Sequence, residues 1–369
     1  MVNPRIDLRV IPVISALMVI SLLVISSMTG VEDDIIWTTH VKSQLRWFCL
    51  GWGLFAFFAG LDYRRFKDWS PVLYALTLLL LMGLFFAPAI QNVHRWYRVP
   101  LLGMAVQPSE FAKLSVMLMI AWFVERKGSA IESWGAAFQL GLLVGIPFLL
   151  ILKQPDLGTA LILYPIGLAM AYIAGVRTAA VRIAGWCGIA ILIAASSIFL
   201  GFFSHEEMRP VFTKVMKEYQ YERLNPDTYH QRAAKAAIAL GGIGGTGWRK
   251  SEFAAHKWLP ASHTDSVFAS YAEEFGLVGV GILLSLFYGL IYLGFQVVRA
   301  AQDPFGRVLA TGLSTYLAMH VLVNSAMMCG LLPLSGVPLL FLTYGGSSQL
   351  AAMAALGMLQ SIYSRRFMF

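Results

Sequence analysis

The sequence predicts an all-α polytopic membrane protein with about ten transmembrane helices and a large extracytoplasmic loop before the eighth. Hydrophobic residues make up 58% of the 369 residues and charged residues 13%, whereas a soluble domain carries about 25% charged residues. The apolar residues form repeated runs, separated by short polar stretches, and a spanning helix needs about 20 mostly apolar residues. Composition and run length together therefore exclude an ordinary soluble protein.

Ten segments are long and apolar enough to be interpreted as spans. The first follows two arginines, as a secretory signal would, but it is long for a signal and no small-residue cleavage site follows it. We assign the ten to one membrane domain, 1–369, because the inner loops are too short to fold alone. The predicted spans are 10–28, 45–60, 71–88, 108–124, 136–152, 157–174, 181–201, 267–298, 306–330 and 346–364.

Lys and Arg residues predict the orientation, because short cytoplasmic loops are enriched in them. With the N-terminus inside, the short outer loops carry Lys42, Arg46, Arg95, Arg98 and Lys153. The inner side carries many more: Arg5, Arg9, Arg64, Arg65, Lys67, Arg126, Lys127, Arg177, Arg182, Arg299, Arg307, Arg365 and Arg366. We therefore expect a multi-pass protein of the cell inner (plasma) membrane with both termini cytoplasmic and the loop 202–264 outside.

Two stretches of the outer loop have a recognisable character. The stretch 229–240, YHQRAAKAAIAL, predicts a short helix, which either lies on the outer leaflet or is simply solvated. The glycine run after it, GGIGGTGW, contains a G-x-G-x-x-G pattern. A dinucleotide site needs a strand before that pattern and a helix after it, so we interpret the run as a flexible turn.

The segment 331–348 has no charged residue and contains two prolines. It is predicted to lie outside, between the last two helices, where a charge-free loop is poorly suited to water. Either it dips back into the membrane under protein cover, as a groove for a polyprenyl tail, or it packs on neighbouring helices.

Three predicted helices begin at the outer face with a carboxylate in or beside the first turn. An acid there complements the helix dipole, and the last of the three could be only an N-cap. The dipole effect is worth only about 0.3–1 kcal/mol, however, and burying a carboxylate near the membrane can cost more. The three together indicate a polar site at the outer surface: Glu110 in QPSEFAKL, Asp156 in QPDLGTAL and Asp265 in HTDSVFAS.

Basic residues sharpen this prediction. Lys113 lies three residues after Glu110, on the same helix face, and an ionisable pair inside a membrane is a functional hypothesis by default. The alternative is a structural pair that locks two helices. Arg95, in RWYR, adds a cation, although Arg and Trp also anchor interfaces. Because cations bind phosphate and carboxylates act as bases or metal ligands, the simplest ligand is a lipid-linked, phosphate-bearing substrate.

Several motifs resemble one known family in order along nearly the whole chain. They are HRW, QPSEFAKL, QPDLGTAL, LPASHTDSVFASYAEEFGLVG and GVPLLFLTYGGSS. The chain is similar to the SEDS family, the RodA, FtsW and SpoVE group of cell-wall glycosyltransferases. Its short termini and compact length resemble RodA more than FtsW.

The resemblance implies a peptidoglycan glycosyltransferase that inverts the sugar linkage and polymerises lipid II for cell elongation and rod shape. It implies a class B penicillin-binding protein as the transpeptidase partner, contact with membrane lipid, and no nucleic acid. Asp265 falls on the catalytic aspartate of the family. Glu110, Lys113 and Asp156 fall on the charged residues of the fourth helix and the QPD motif.

Further roles are expected around Asp265. His263 and Thr264 would shape the loop, and helical spacing favours Glu273 over Glu274 as a supporting residue. The diphosphate would be stabilised by Lys113, by Arg95 or by a divalent cation, Mg²⁺ or Mn²⁺, and the metal ligands stay unknown. The family commonly has Glu where this chain has Ala261, and a bulky apolar residue where it has Ser266.

Three other functions remain open from the residues. A flippase for lipid-linked precursors would also need intramembrane charges, but the polar residues here cluster at outer helix ends. A division-specific, FtsW-like glycosyltransferase would share the chemistry. A non-catalytic scaffold would not need Asp265.

Overall fold

The computed structural model describes residues 6–30, 35–88, 94–99, 104–203, 205–213, 218–225 and 227–367. Arg5, which entered the charge count, lies outside them. The described residues form an antiparallel hairpin of β1 (Tyr97–Val99) and β2 (Met104–Val106) and fourteen α-helices. The helices are α1 (Val10–Gly30), α2 (Thr39–Gly60), α3 (Arg65–Gly83), α4 (Pro108–Lys127), α5 (Trp134–Lys153), α6 (Leu157–Ile173), α7 (Thr178–Phe199), α8 (His205–Phe212), α9 (Glu218–Tyr221), α10 (Tyr229–Gly241), α11 (Glu252–Ala255), α12 (Val267–Ala300), α13 (Pro304–Met328) and α14 (Gly346–Ser364).

The all-α polytopic class is confirmed. A helix lies at each of the ten predicted spans, and six stretches are long and apolar enough to cross a membrane by length and composition. They are Val10–Gly30, Arg65–Phe86, Trp134–Lys153, Thr178–Phe199, Val267–Ala300 and Pro304–Met328. The count of ten spans stays a prediction. Helices α4 and α14 fall outside the six, and most of their residues are buried against other helices, so they need no continuous apolar face.

The centre of the bundle is built by α4, α13 and α14. Helix α13 packs against α12, α6 and α4, and α14 packs against α2. Polar residues at the helix starts satisfy free backbone N–H groups: Asp156 caps α6 and Asp303 caps α13. Helix α7 packs on α6 at the edge, with its apolar side chains largely exposed. Apolar side chains exposed on an outer helix are those that lipid would cover.

The glycine run 241–247 packs directly on a break in α12. Gly276 interrupts that helix with a φ of +61°, which favours glycine. The Leu277 N–H donates to the Gly242 carbonyl at 2.9 Å, and the Thr246 N–H donates to the Glu273 carbonyl at 2.9 Å. A Cβ at Gly276 would overlap the Gly245 amide nitrogen. The run does turn, as predicted, but it is packed against α12 rather than free, because the glycines permit a close backbone contact.

Helix α10 belongs to the bundle rather than to the leaflet or to solvent. Its buried face includes Gln231, Ala234 and Ala237, and it packs on α12. The Gln231 amide donates to the Met327 carbonyl at 2.6 Å, while Arg232 and Lys235 point outward. Both sequence interpretations of this helix are therefore corrected, because alanines let it approach α12 closely.

Residues 331–345, which we call the inner segment, run between α13 and α14 without a helix or strand, turn at Leu339–Thr343, and are mostly covered by protein. Val337, Leu339 and Leu342 are buried. Ser21 of α1 donates a hydrogen bond to the Leu342 carbonyl at 3.0 Å. Since buried backbone groups need partners, these contacts explain how a charge-free, non-helical segment lies among helices. Whether it holds a polyprenyl tail stays a prediction.

Candidate active site

Asp265 lies at the end of a tight turn just before α12. In this turn, residues 260–266, which we call the aspartate turn, the N–H groups of Thr264 and Ser266 donate to the Ala261 carbonyl at 3.0 and 3.1 Å. The Ser266 hydroxyl donates to the Pro260 carbonyl at 2.9 Å. Ser266, not Asp265, occupies the N-cap position of α12, and no side chain caps that helix. The N-cap explanation of Asp265 is therefore wrong, and this partly exposed residue needs another explanation.

The aspartate turn is docked on the inner segment. The Tyr344 N–H donates to the His263 carbonyl at 3.0 Å, and the Thr343 hydroxyl donates to the Thr264 carbonyl at 3.3 Å. Gly336 lies so close to the Asp265 carboxylate that a Cβ on it would stand 3.6 Å from Oδ2. His263 and Thr264 thus hold the turn through their backbone carbonyls, in keeping with their predicted loop-shaping role.

Aromatic rings lie beside the turn. The His263 ring lies 5.1 Å from the ring of His40 and 5.9 Å from that of Tyr344, between ring centres. Burial lowers the pKa of His263, and the neighbouring His40 lowers it further. His230 of α10 contacts the Ser266 hydroxyl at 2.6 Å. Burial lowers the pKa of His230, and the nearby Asp265 charge opposes this.

The predicted ion pair is present and sealed inside the bundle. Lys113 Nζ lies 2.9 Å from Glu110 Oε1, and the two side chains are 0% and 2% exposed. Lys113 also contacts Nε2 of His320 at 2.9 Å, and His320 Nδ1 contacts the Pro338 carbonyl at 2.9 Å. Because a carbonyl only accepts, Nδ1 carries the hydrogen and Nε2 accepts from the ammonium.

The pair therefore joins α4 to α13 and the inner segment, as the structural interpretation expected. In this conformation the Lys113 ammonium has no exposed surface with which to contact a phosphate. A role for Lys113 at the phosphate stays a prediction that requires a rearrangement.

Asp156 and Arg95 organise the QPD loop. Asp156 is 3% exposed; it accepts from the Thr159 N–H at 3.3 Å, from the Gln107 amide at 2.9 Å and from the Ser109 hydroxyl at 3.1 Å. It thus ties the start of α6 to the start of α4.

Arg95, just before β1, is partly exposed. Its guanidinium donates to the Gln154 carbonyl at 3.2 Å and to the Pro155 carbonyl. Arg95 therefore combines a fixed position with surface that a ligand can reach.

Glu273 is not brought to Asp265. It is fully buried, accepts from the Ser251 hydroxyl at 2.5 Å and the Phe253 N–H at 3.2 Å, and so anchors α11. Eight helical residues also separate it from Asp265 by about 12 Å along the axis. Glu274 accepts from Ser27 and from the Arg249 N–H instead. Both glutamates hold the outer loop on α12.

The described residues do not form a divalent metal centre from protein ligands alone. Across the described ranges, no group of three His, Cys, Asp or Glu side chains could hold a metal ion. Asp156 and Glu110 are already engaged by protein donors and a lysine. A role for Mg²⁺ or Mn²⁺ at the diphosphate stays a prediction.

Sequence reasoning missed a polar stripe on α13. Tyr316, His320 and Asn324 are buried and spaced four residues apart, which places them on one helix face. His320 and Asn324 both contact the inner segment. The regular spacing of polar residues in an apolar helix is the signal that would have found them.

A partly exposed aspartate docked against a buried polar network, in a bundle with six candidate membrane spans, is typical of a membrane-embedded enzyme site. The chain belongs to the FtsW/RodA/SpoVE family of cell cycle proteins, whose family model matches residues 6–366. The resemblance predicted from the motifs is thereby confirmed.

Curated relatives cover nearly the whole chain. It is 33% identical to the peptidoglycan glycosyltransferase MrdB of Escherichia coli K12 over 377 residues, which cover 99% of this chain and 95% of the relative. It is 30% identical to MrdB of Helicobacter pylori 26695, covering 95% and 89%. It is 32% identical to a probable peptidoglycan glycosyltransferase FtsW of Geobacter sulfurreducens, covering 88% and 85%.

Solved structures share the fold. One, described as "Structural coordination of polymerization and crosslinking by a peptidoglycan synthase complex", matches with a TM-score of 0.77 at 24% identity and covers 99% of both chains. RodA of Thermus thermophilus matches with a TM-score of 0.72 at 24% identity and covers 98% of both chains.

Proposed function

We propose that this chain is an inverting peptidoglycan glycosyltransferase that polymerises lipid II into β-1,4-linked glycan strands, with Asp265 as its base. The observation that carries the proposal is the partly exposed Asp265, held on a turn that is itself hydrogen-bonded to a buried segment. The activity printed for the MrdB relatives supports the same reaction class.

The reaction balances with one base and one leaving group. The 4-hydroxyl oxygen of the acceptor sugar attacks the anomeric carbon of the donor, and its proton passes to Asp265. The new carbon–oxygen bond forms on the face opposite the α-linked diphosphate, and the bond from that carbon to the diphosphate oxygen breaks. The lipid diphosphate leaves with the bonding electron pair, and the product linkage is β.

A cation at the leaving diphosphate would stabilise its developing charge. Of the two predicted cations, Arg95 is partly exposed and Lys113 is fully buried. Burial therefore favours Arg95 for this contact, with Lys113 and Glu110 acting inside the bundle. Asp156 supports the same region by fixing the loop that Arg95 binds.

The membrane setting follows from the same scheme. The protein is placed in the plasma membrane with both termini cytoplasmic and Asp265 at the outer surface, supported by the asymmetry of Lys and Arg. A class B penicillin-binding protein is the proposed partner, supported by the likeness to a chain of a peptidoglycan synthase complex. The elongation role is supported by the near-complete coverage of MrdB relatives.

The test is direct. Purified protein, alone and with a class B penicillin-binding protein, is incubated with fluorescent lipid II, and glycan polymer is resolved by gel electrophoresis. We expect polymer from the native chain and none above background from Asp265→Asn. Lipid II binding without polymer under either condition would contradict the proposal and favour the transport function.

A further inference from the structure

We propose that Asn324 is a positioning residue for Asp265, whose side-chain amide joins the aspartate turn to the inner segment and so sets where the carboxylate stands. This inference rests on the proposed function, because it assigns a role within that reaction.

The contacts of Asn324 are specific. Its side chain is 0% exposed. Its Nδ2 donates to the Asp265 carbonyl at 3.1 Å and to the Val337 carbonyl at 2.7 Å. A side-chain amide has two N–H donors, and here one donates to the aspartate turn and the other to the inner segment. Asn324 therefore bridges the residue that carries the reactive carboxylate and the segment beneath it.

The bridge is one of several contacts between the aspartate turn and the inner segment. On one side of it the Thr343 hydroxyl donates to the Thr264 carbonyl at 3.3 Å, and the Tyr344 N–H donates to the His263 carbonyl. On the other side Gly336 faces the Asp265 carboxylate. Because these contacts hold the backbone on both sides of Asp265, the docking of the aspartate turn contributes to the position of the carboxylate.

The inner segment is held from the same face of α13 at the adjacent carbonyl. One helical turn before Asn324, His320 donates to the Pro338 carbonyl at 2.9 Å and accepts from Lys113. Asn324 and His320 thus donate hydrogen bonds to the consecutive carbonyls of Val337 and Pro338. Lys113 contacts both Glu110 and His320. Because His320 and Asn324 lie on the same helix, α13 connects the buried ion pair to the aspartate turn.

The consequence for the reaction is geometric. A general base works within hydrogen-bond reach of the proton it removes, and a misplacement of about 1 Å can cost about 100-fold in rate. Asn324 does not touch the reacting atoms, so its loss acts through Asp265. The rate constant should then fall without a matching loss of substrate affinity.

The test compares three variants with the native chain in lipid II polymerisation. Asn324→Leu keeps a similar volume and removes both donors; we expect kcat to fall about 10- to 100-fold while the KM for lipid II changes less than about twofold. Thr343→Val removes the docking hydrogen bond to Thr264, together with the one that the Thr343 hydroxyl accepts from the Leu339 N–H, and should lower kcat in the same direction by less. The matched control is Ser325→Ala, the next residue on α13, whose hydroxyl has no hydrogen-bond partner; it should behave like the native chain.

Two further readouts separate positioning from a folding defect. The acidic limb of the pH–rate profile, which reports the base, should shift in Asn324→Leu, whereas a partly unfolded preparation would keep the native profile at lower amplitude. The unfolding temperature in detergent gives the folded fraction. If Asn324→Leu does not fold, the kcat of Thr343→Val per folded molecule becomes the deciding measurement.

A native kcat per folded molecule, in Asn324→Leu or in the deciding variant, would overturn the inference. An absence of polymer from the native chain would instead overturn the proposed function, and the inference with it.

Discussion

At Asp265 the side chain is the proposed base, whereas the backbone carbonyl accepts the hydrogen bond from Asn324. A mutation of the side chain can therefore remove the first role and leave the second. Asp265→Asn keeps the shape of the side chain and the carbonyl that accepts from Asn324, but it removes the base. General-base loss typically costs about 10²–10⁴-fold. We therefore expect glycan polymer to collapse to that extent while lipid II binding, folding and partner association survive.

The measurement is polymer yield beside a lipid II binding assay on the same preparation. An Asp265→Asn protein that still makes long strands would show that this carboxylate is dispensable. Reduced binding with unchanged turnover of the bound lipid would assign Asp265 to recognition.

The ion pair of Lys113 and Glu110 is expected to be structural. Removing one partner of a buried pair leaves an uncompensated charge and costs about 3–5 kcal/mol. Lys113→Met should therefore lower the unfolding temperature strongly. The double variant Glu110→Gln with Lys113→Met removes both charges, and we expect it to recover most of the stability and of the lipid II turnover.

Unfolding temperature and polymerisation rate are measured together on both variants. If Lys113 acts on the phosphate, the double variant will regain stability without regaining turnover. That outcome would return Lys113 to the substrate site and require the bundle to open during the reaction.

At the scale of the element, the break in α12 depends on one glycine. Gly276→Ala would place a Cβ in the backbone of the glycine run, at a φ of +61°, and left-handed strain in a non-glycine residue costs about 1–3 kcal/mol. We expect a lower unfolding temperature and faster proteolysis in the loop 241–264, because the run can no longer dock.

Gly281→Ala is the matched control on the same helix, since nothing lies within 4 Å of a Cβ there. It should leave both readouts unchanged. Equal sensitivity of the two variants would show that the docking of the glycine run adds no stability.

At the scale of the whole molecule, orientation is the property to measure, and the structure guides the choice of positions. In a background with Cys49, Cys187 and Cys329 replaced by alanine, Ala236→Cys on the exposed side of α10 should react with an impermeant thiol reagent in whole cells.

Ser129→Cys, exposed between α4 and α5, should react only after the cells are permeabilised. Labelling of Ser129→Cys in intact cells together with protection of Ala236→Cys would invert the topology and move Asp265 to the cytoplasmic side.

The sequence by itself determined the class of fold, the positions of the long helices and the aspartate before α12. Apolar runs and helix starts are local properties, because each depends on neighbours within a few turns of chain. The pairing of Lys113 with Glu110 was equally local, since residues three positions apart on a helix lie on the same face.

Only the tertiary structure decided what each charged group contacts. His320 contacts the Lys113 ammonium although the two residues are 207 positions apart in the sequence. Asn324 donates to the Asp265 carbonyl across 59 positions. Glu273 accepts a hydrogen bond from Ser251 beside α11 and does not contact Asp265. The glycine run packs on α12 through backbone hydrogen bonds. The physical reason is that a buried polar group must find a partner, and in a helical bundle that partner comes from whichever segment packs beside it, a choice no local pattern records.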